Sequence, residues 1–195
     1  MDKIGVIHGR FQVLHKDHVK YLLAGKARCE RLIIGICNPE PDLTRYTSTN
    51  PHRSKQSANP MTYYERAECI RLAMLEAGVS ESEFMIVPFP VNYPEKLSNY
   101  VPMDATFYIT IYDEWGREKY HMLKQELGLK VTVLWTVPLE EKGISASTIR
   151  ECICSRTDWD FYVPPCVYQY ITEHRIDERI RAFMLEEKRT SPDES

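Results

Sequence analysis

Short apolar runs alternate with amphipathic stretches along most of this chain, and the alternation predicts its architecture. Residues 4–7 are apolar and read as a first strand. From about residue 17 to 28 the apolar positions Val19, Leu22, Leu23 and Ala27 fall at helical spacing and point inward. Leu32-Ile33-Ile34-Gly35-Ile36-Cys37 is continuously apolar, as expected of a strand buried on both faces of a parallel sheet. Thr62-x-x-Glu65 is a capping box opening a helix that lasts to Ala77, and Gly78 ends it. Residues 84–87, 106–111 and 130–135 predict three further strands. A short helical segment is expected at 95–101, a helix at 114–127 closed by Gly128, and helices after that, broken at Pro164-Pro165. The pattern predicts an α/β fold: a Rossmann-like doubly wound parallel sheet of about five strands with C-terminal helices, ligands lying beyond the carboxyl ends of the strands.

Composition narrows this to one domain. At 195 residues and 43% hydrophobic, the chain supports a sizeable core, read here as a single domain over 1–185 with a frayed tail at 186–195. A formal net charge of -3 argues against a general nucleic-acid binder. No stretch of 18 apolar residues occurs and the N-terminus leads straight into a strand, so a cytoplasmic protein without membrane contact is expected. Cysteines 29, 37, 69, 152, 154 and 166 lack zinc-ligand spacing, which predicts reduced, mostly buried thiols and no protein-held metal. Between the second strand and the capping box lies a 38–60 loop carrying four prolines and the cations Arg45, Arg53 and Lys55. It reads either as a lid over an anionic ligand or as a solvated insertion.

Two segments carry chemistry. In the first, Gly5-Val6-Ile7-His8-Gly9-Arg10-Phe11-Gln12-Val13-Leu14-His15-Lys16-Asp17-His18, a strand runs through a small-basic turn into a helix start. The first N–H groups of a helix have no internal partner and favour an anion. His15 and His18 lie one turn apart, so both can face one phosphate group. In the second, Ile144-Ser145-Ala146-Ser147-Thr148-Ile149-Arg150, three hydroxyls begin a helix and an arginine follows one turn later, a donor set suited to a triphosphate and also to simple N-capping. His8, His121 and His174 are read as structural.

The first segment resembles the opening of the nucleotidylyltransferase superfamily, whose signature is H-x-G-H after the first strand. Within it, the segment is most similar to archaeal-type nicotinamide-mononucleotide (NMN) adenylyltransferases, which begin G-R-F-Q-P-x-H-x-G-H. Val13 stands where that family has proline, and Asp17 where it has glycine. A carboxylate there repels phosphate, so Asp17 must point away, cap the helix or help hold a metal ion. The second segment is similar to the family's I-S-G-T-x-I-R or I-S-S-T-x-x-R. Asn59-Pro60-Met61-Thr62-Tyr63-Tyr64-Glu65-Arg66 resembles N-P-F-T-x-x-E-R, with Arg66 either reaching the site or forming an ion pair. Val163-Pro164-Pro165 resembles a V-P-x-x-V break, placed here at the start of the last long helix.

The resemblance implies nucleotidyl transfer from a nucleoside triphosphate to a small phosphorylated or phosphonate acceptor, with pyrophosphate released. It implies catalytic roles for His15, His18 and Arg150, and nucleotide binding by Gly9, Arg10, Phe11, Lys16, Ser145, Ser147 and Thr148. Arg45, Arg53, Lys55 and Trp115 are the acceptor-side candidates. Mg2+ is expected to arrive with the nucleotide, and a homo-oligomer is implied. The family's acceptor segment after strand three bears a tryptophan; here residues 88–101 hold Tyr93 and Tyr100 instead, and Trp115 either takes over stacking or packs on the sheet. The leading expectation is an enzyme joining ATP and NMN into NAD. The alternatives are a CTP-dependent cytidylyltransferase acting on a small phosphate or phosphonate acid, and a nucleotide-sensing module without turnover.

Overall fold

A computed structural model describes residues 1–40, 55–141 and 143–190. Five parallel strands, β1 (Asp2–Gly9), β2 (Cys29–Cys37), β3 (Phe84–Phe89), β4 (Thr106–Ile111) and β5 (Lys130–Thr136), form one sheet in the order β3-β2-β1-β4-β5. The chain builds outward from β1 to β3, then returns to place β4 on the other side of β1. That reversal opens a crevice between the carboxyl ends of β1 and β4.

Side-chain alternation along β1 divides the core. Ile7 faces a cluster with Leu14, Leu22, Ile34, Ile70 and Ile149, covered by α1 (Lys16–Lys26), α2 (Tyr63–Glu76), α4 (Ala146–Ser155), α5 (Pro165–Glu173) and α6 (Ile176–Thr190). Val6 faces the opposite cluster with Ile33, Phe89, Phe107 and Leu123, covered by α3 (Glu114–His121) and the π-helical turn Met122–Glu126 that continues it. The Thr62–Glu65 capping box opens α2, and Gly78 follows it at φ +81°.

Several boundaries depart from expectation. Ala27 is the exposed C-cap of α1 and does not face inward. The strand expected to stop at Val87 runs on through Pro88, which pairs with Ile36. Proline is tolerated because β3 is an edge strand whose outer N–H groups need no partner. The segment near 95–101 is a 3-10 helix, Pro94–Asn99. The helix from Glu114 changes to a π turn at Met122, which buries Leu123. Pro164 and Pro165 open α5, not the last long helix; α6 begins after Arg175, which takes a left-handed conformation at φ 54°. Fraying from Glu186 is not found as far as Thr190, since α6 continues and Glu187 accepts from Lys55 Nζ (2.6 Å) and from the Ser57 hydroxyl. The expected tail beyond Thr190 lies outside the described residues. The cysteines are free, and Cys29, Cys37, Cys69 and Cys154 are buried. Among the described residues no helix is long and apolar enough to cross a membrane.

Candidate active site

The crevice widens into a cleft of about 470 Å³ bordered by the N-termini of α1, α3 and α4. Three helix N-termini around one cavity give it a positive potential before any side-chain charge is counted.

His15 is the N-cap of α1 and His18 its N3 residue, and the two make a reciprocal capping box. His15 Nδ1 accepts from the His18 N–H and His18 Nδ1 accepts from the His15 N–H, both at 3.4 Å. The rings stack with centroids 3.6 Å apart and planes 24° apart. With both Nδ1 atoms turned to backbone donors, the ring hydrogens belong on the two Nε2 atoms. The cap therefore fixes tautomer and ring orientation together. Phe11 supports it by setting its buried ring edge-on to His18, centroids 5.1 Å apart, from a left-handed backbone at φ 54°. Such a conformation costs a non-glycine residue about 1–2 kcal/mol and is held by packing around the site. The Gln12–Val13 peptide beside it is cis.

Two hydrogen bonds join this segment to the start of α4. Arg150 Nη1 donates to the Gln12 carbonyl, and the Ile144 N–H donates to the Asp17 carboxylate at 2.9 Å. Asp17 thus points across to the second loop. A Cβ at Gly143 would run into that carboxylate, so a larger residue there would have to displace the Asp17 side chain. Ser145 caps α4 by accepting from the Thr148 N–H at 3.1 Å, and Arg150 Nη2 donates to Ser147 Oγ at 3.1 Å. The Gln12 amide anchors the whole turn to Met61, exchanging bonds of 3.0 and 2.8 Å with its carbonyl and N–H.

Two guanidiniums are buried at this end of the sheet. Arg66 spans four backbone carbonyls, those of Thr62, Arg10, Cys37 and Asn38, at 2.7–3.2 Å. Neither Arg66 nor Arg150 has a carboxylate bonded to it among the described residues, and Arg150 Nε has no hydrogen-bond partner there. Burial lowers both to about 10, so they stay cationic at neutral pH and add to the positive field. Arg66 makes neither of the contacts expected of it; it ties the ends of β1 and β2 to the start of α2.

Of the residues singled out from the sequence, Gly9, Arg10, Phe11, His15, His18, Ser145, Ser147, Arg150 and Trp115 line the cleft. Lys16 and Thr148 do not: Lys16 is exposed, and the Thr148 hydroxyl lies 2.9 Å from Ser145 Oγ. Lys55 pairs with Glu187 away from the cleft, and Arg45 and Arg53 lie outside the described residues. The lid reading of the 38–60 loop falls mainly on those same residues. Sequence reasoning passed over Asn92 and Lys119 and read His8 as structural; all three line the cleft. The only local signal was a histidine ending an otherwise apolar strand.

No group of three or more metal-binding side chains is assembled among the described residues. The two carboxylates bordering the cleft are already engaged, Asp17 with Ile144 and Asp113 with the Gly116 N–H at 2.8 Å.

Residues 6–152 match the family described as cytidylyltransferase-like. The chain is 45% identical over 91% of its length to a phosphonoformate cytidylyltransferase from Streptomyces viridochromogenes, covering 95% of that protein. It is 32% identical over 92% of its length to a nicotinamide-nucleotide adenylyltransferase from Pyrococcus furiosus, covering 88% of it. Among solved structures, a bifunctional NMN adenylyltransferase/ADP ribose pyrophosphatase from Francisella tularensis superposes over the whole chain with a TM-score of 0.67 at 17% identity. This chain spans 58% of that longer protein, and at such identity the likeness bears on the fold alone. Fold, motif order and relatives agree: the chain is a nucleotidyltransferase of the cytidylyltransferase-like family.

Proposed function

We propose that the protein transfers a cytidylyl group from CTP to a small phosphonate-bearing acid. One observation carries this reading: the chain is 45% identical over 91% of its length to a phosphonoformate cytidylyltransferase, against 32% over 92% to a nicotinamide-nucleotide adenylyltransferase.

The reaction needs little proton chemistry. A phosphonate oxygen is anionic at neutral pH and attacks the α-phosphorus of CTP. The new P–O bond forms as the bond from the α-phosphorus to the α–β bridging oxygen breaks, and its electron pair leaves with pyrophosphate. The site has to align two anions and stabilise charge on the transferring group. His15 and His18, their Nε2–H groups aimed by the capping box, donate to the α-phosphate, and Arg10 contacts the same group. Ser145, Ser147, Arg150 and the N-terminus of α4 hold the β and γ phosphates. Magnesium held by the nucleotide's own phosphates would shield their charge. In-line displacement then puts the acceptor on the side away from α4.

A second reading, adenylyl transfer to NMN, is favoured by Trp115, which lines the cleft with a flat surface suited to a pyridine ring. Magnesium-dependent pyrophosphate release, measured with CTP and ATP, each with phosphonoformate and with NMN, separates the two. Turnover with CTP and phosphonoformate is expected. Turnover only with ATP and NMN would replace the first reading by the second, and nucleotide binding without turnover with either acceptor would favour a sensor.

A further inference from the structure

His8 is the least satisfied buried side chain among the described residues. It is 4% exposed, and neither ring nitrogen has a hydrogen-bond partner among the described residues. Leaving a buried donor or acceptor unmade costs about 1–3 kcal/mol, so an orphan of this kind calls for a reason.

Three strands build a support for it. His8 on β1 is in register with Gly35 on β2, which pairs with Val87 on β3. Two residues further on, Phe89 lays its ring over Gly35 so closely that a Cβ there would sit 2.6 Å from it. The Phe89 ring then stacks on His8, centroids 4.5 Å apart and planes only 7° apart. The imidazole is thereby held in one orientation, and His8 shares the cleft wall with Lys119 and Asn92. Burial holds its pKa well below the ordinary histidine value, and the charge of Lys119 acts in the same direction.

The position decides the ligand. Val6 and Phe89 belong to the cluster beneath α3, so His8 and its Phe89 support lie on that face of the sheet. The capping histidines and Arg150 sit on the face covered by α1 and α4. If the pyrophosphate leaves toward α4, the acceptor comes in over the α3 face, where His8 waits.

We propose that His8 recognises the acceptor: its imidazole, racked against Phe89, hydrogen-bonds an oxygen of the acceptor group beyond the attacking one, with Lys119 compensating negative charge. For a phosphonate acid that group is the carboxylate. This rests on the direction of transfer given above, while the choice between CTP and ATP does not affect it.

The test is a kinetic split. His8→Phe keeps the stack and removes both nitrogens, and His8→Asn keeps a donor and an acceptor. With whichever acceptor the wild type turns over, His8→Phe is expected to raise the acceptor KM at least 10-fold and leave the nucleotide KM within 2-fold, with His8→Asn recovering part of the loss. An effect on the nucleotide KM alone, or on neither, overturns the proposal. Should the variants fail to fold, or the wild type turn over neither acceptor, ring-15N spectra of the wild-type histidines decide, with the α3-face imidazole traced by its contacts to the Phe89 ring. That signal is expected to move on adding phosphonoformate or NMN and to stay in place on adding CTP or ATP. Movement with the nucleotides only, or with none of the four, overturns the proposal. Wild-type silence in the kinetic assay would count against the reading of the function and leave the spectra to judge His8.

Discussion

The two sides of the cleft are built on different terms. On the α1 and α4 side the polar groups lock one another: the two histidines cap each other, Arg150 reaches Gln12 and Ser147, and Asp17 holds Ile144. On the α3 side His8 is fixed by shape, through Phe89 and Gly35, with its buried nitrogens unpartnered among the described residues. A phosphate group is common to every nucleotidyl transfer, and a preorganised set of donors serves it whatever the acceptor. Choosing an acceptor requires a group that is satisfied only when the right molecule is present, and an unsatisfied imidazole meets that need.

The largest test of this contrast is His18→Ala. Removing a preorganised donor to the reacting phosphate should lower kcat by about 10²–10³, or about 3–4 kcal/mol. Stopped-turnover pyrophosphate assays would read it, and a loss under tenfold would remove the capping pair from the chemistry. Arg66→Met comes next, and strikes beneath the site. It removes a donor from four carbonyls, of which only that of Thr62 keeps the Arg66 N–H as a shown partner, and a loss of about 3 kcal/mol is expected in denaturant unfolding, from the cost of unmet buried groups. A change under 1 kcal/mol would mean that water replaces the guanidinium.

Asp17 gives a finer cut, because its replacements separate a hydrogen bond from a charge. Asp17→Ala loses the tie to Ile144 and should raise the nucleotide KM about 5- to 10-fold, near 1 kcal/mol. Asp17→Asn keeps an acceptor for that N–H, removes a charge that repels phosphate, and should bind nucleotide at least as well as the wild type. Equal damage from both would point to a need for the carboxylate itself.

The smallest effect concerns pH. The folded protein holds His8 neutral far below its ordinary range, whereas the unfolded chain protonates it near 6.5. The unfolded state therefore binds the extra proton as pH falls, so this contribution to stability is complete above about 6.5 and is lost below it, by up to about 1.4 kcal/mol per pH unit. Thermal unfolding between pH 7 and pH 5 should drop less steeply in His8→Phe than in the wild type, and parallel curves would contradict the burial of an uncharged ring.

What the sequence disclosed follows the same division. Capping chemistry is local, so Ser145-x-x-Thr148 and His15-x-x-His18 announced helix starts from a few residues each. Continuous apolar runs gave the buried strands and hence the crevice. The α3 side was silent because its parts are distant in sequence: His8, Gly35 and Phe89 meet only through strand register. The strand expected over 84–87 also stopped short of Phe89, and the position of β3 at the sheet edge lets it continue through Pro88. Whether a histidine's nitrogens find partners is a property of the fold. Lys55 went to Glu187 for a similar reason, since nothing near it in sequence reveals that α6 passes by.

The most direct measurement is a 31P spectrum of the protein incubated with CTP, magnesium and phosphonoformate. The proposed chemistry predicts free pyrophosphate together with a coupled pair of new signals, one from the cytidylyl α-phosphorus and one from the phosphonate now bonded to it through oxygen. Pyrophosphate without the coupled pair, or unchanged CTP in a sample that joins ATP to NMN, would contradict it.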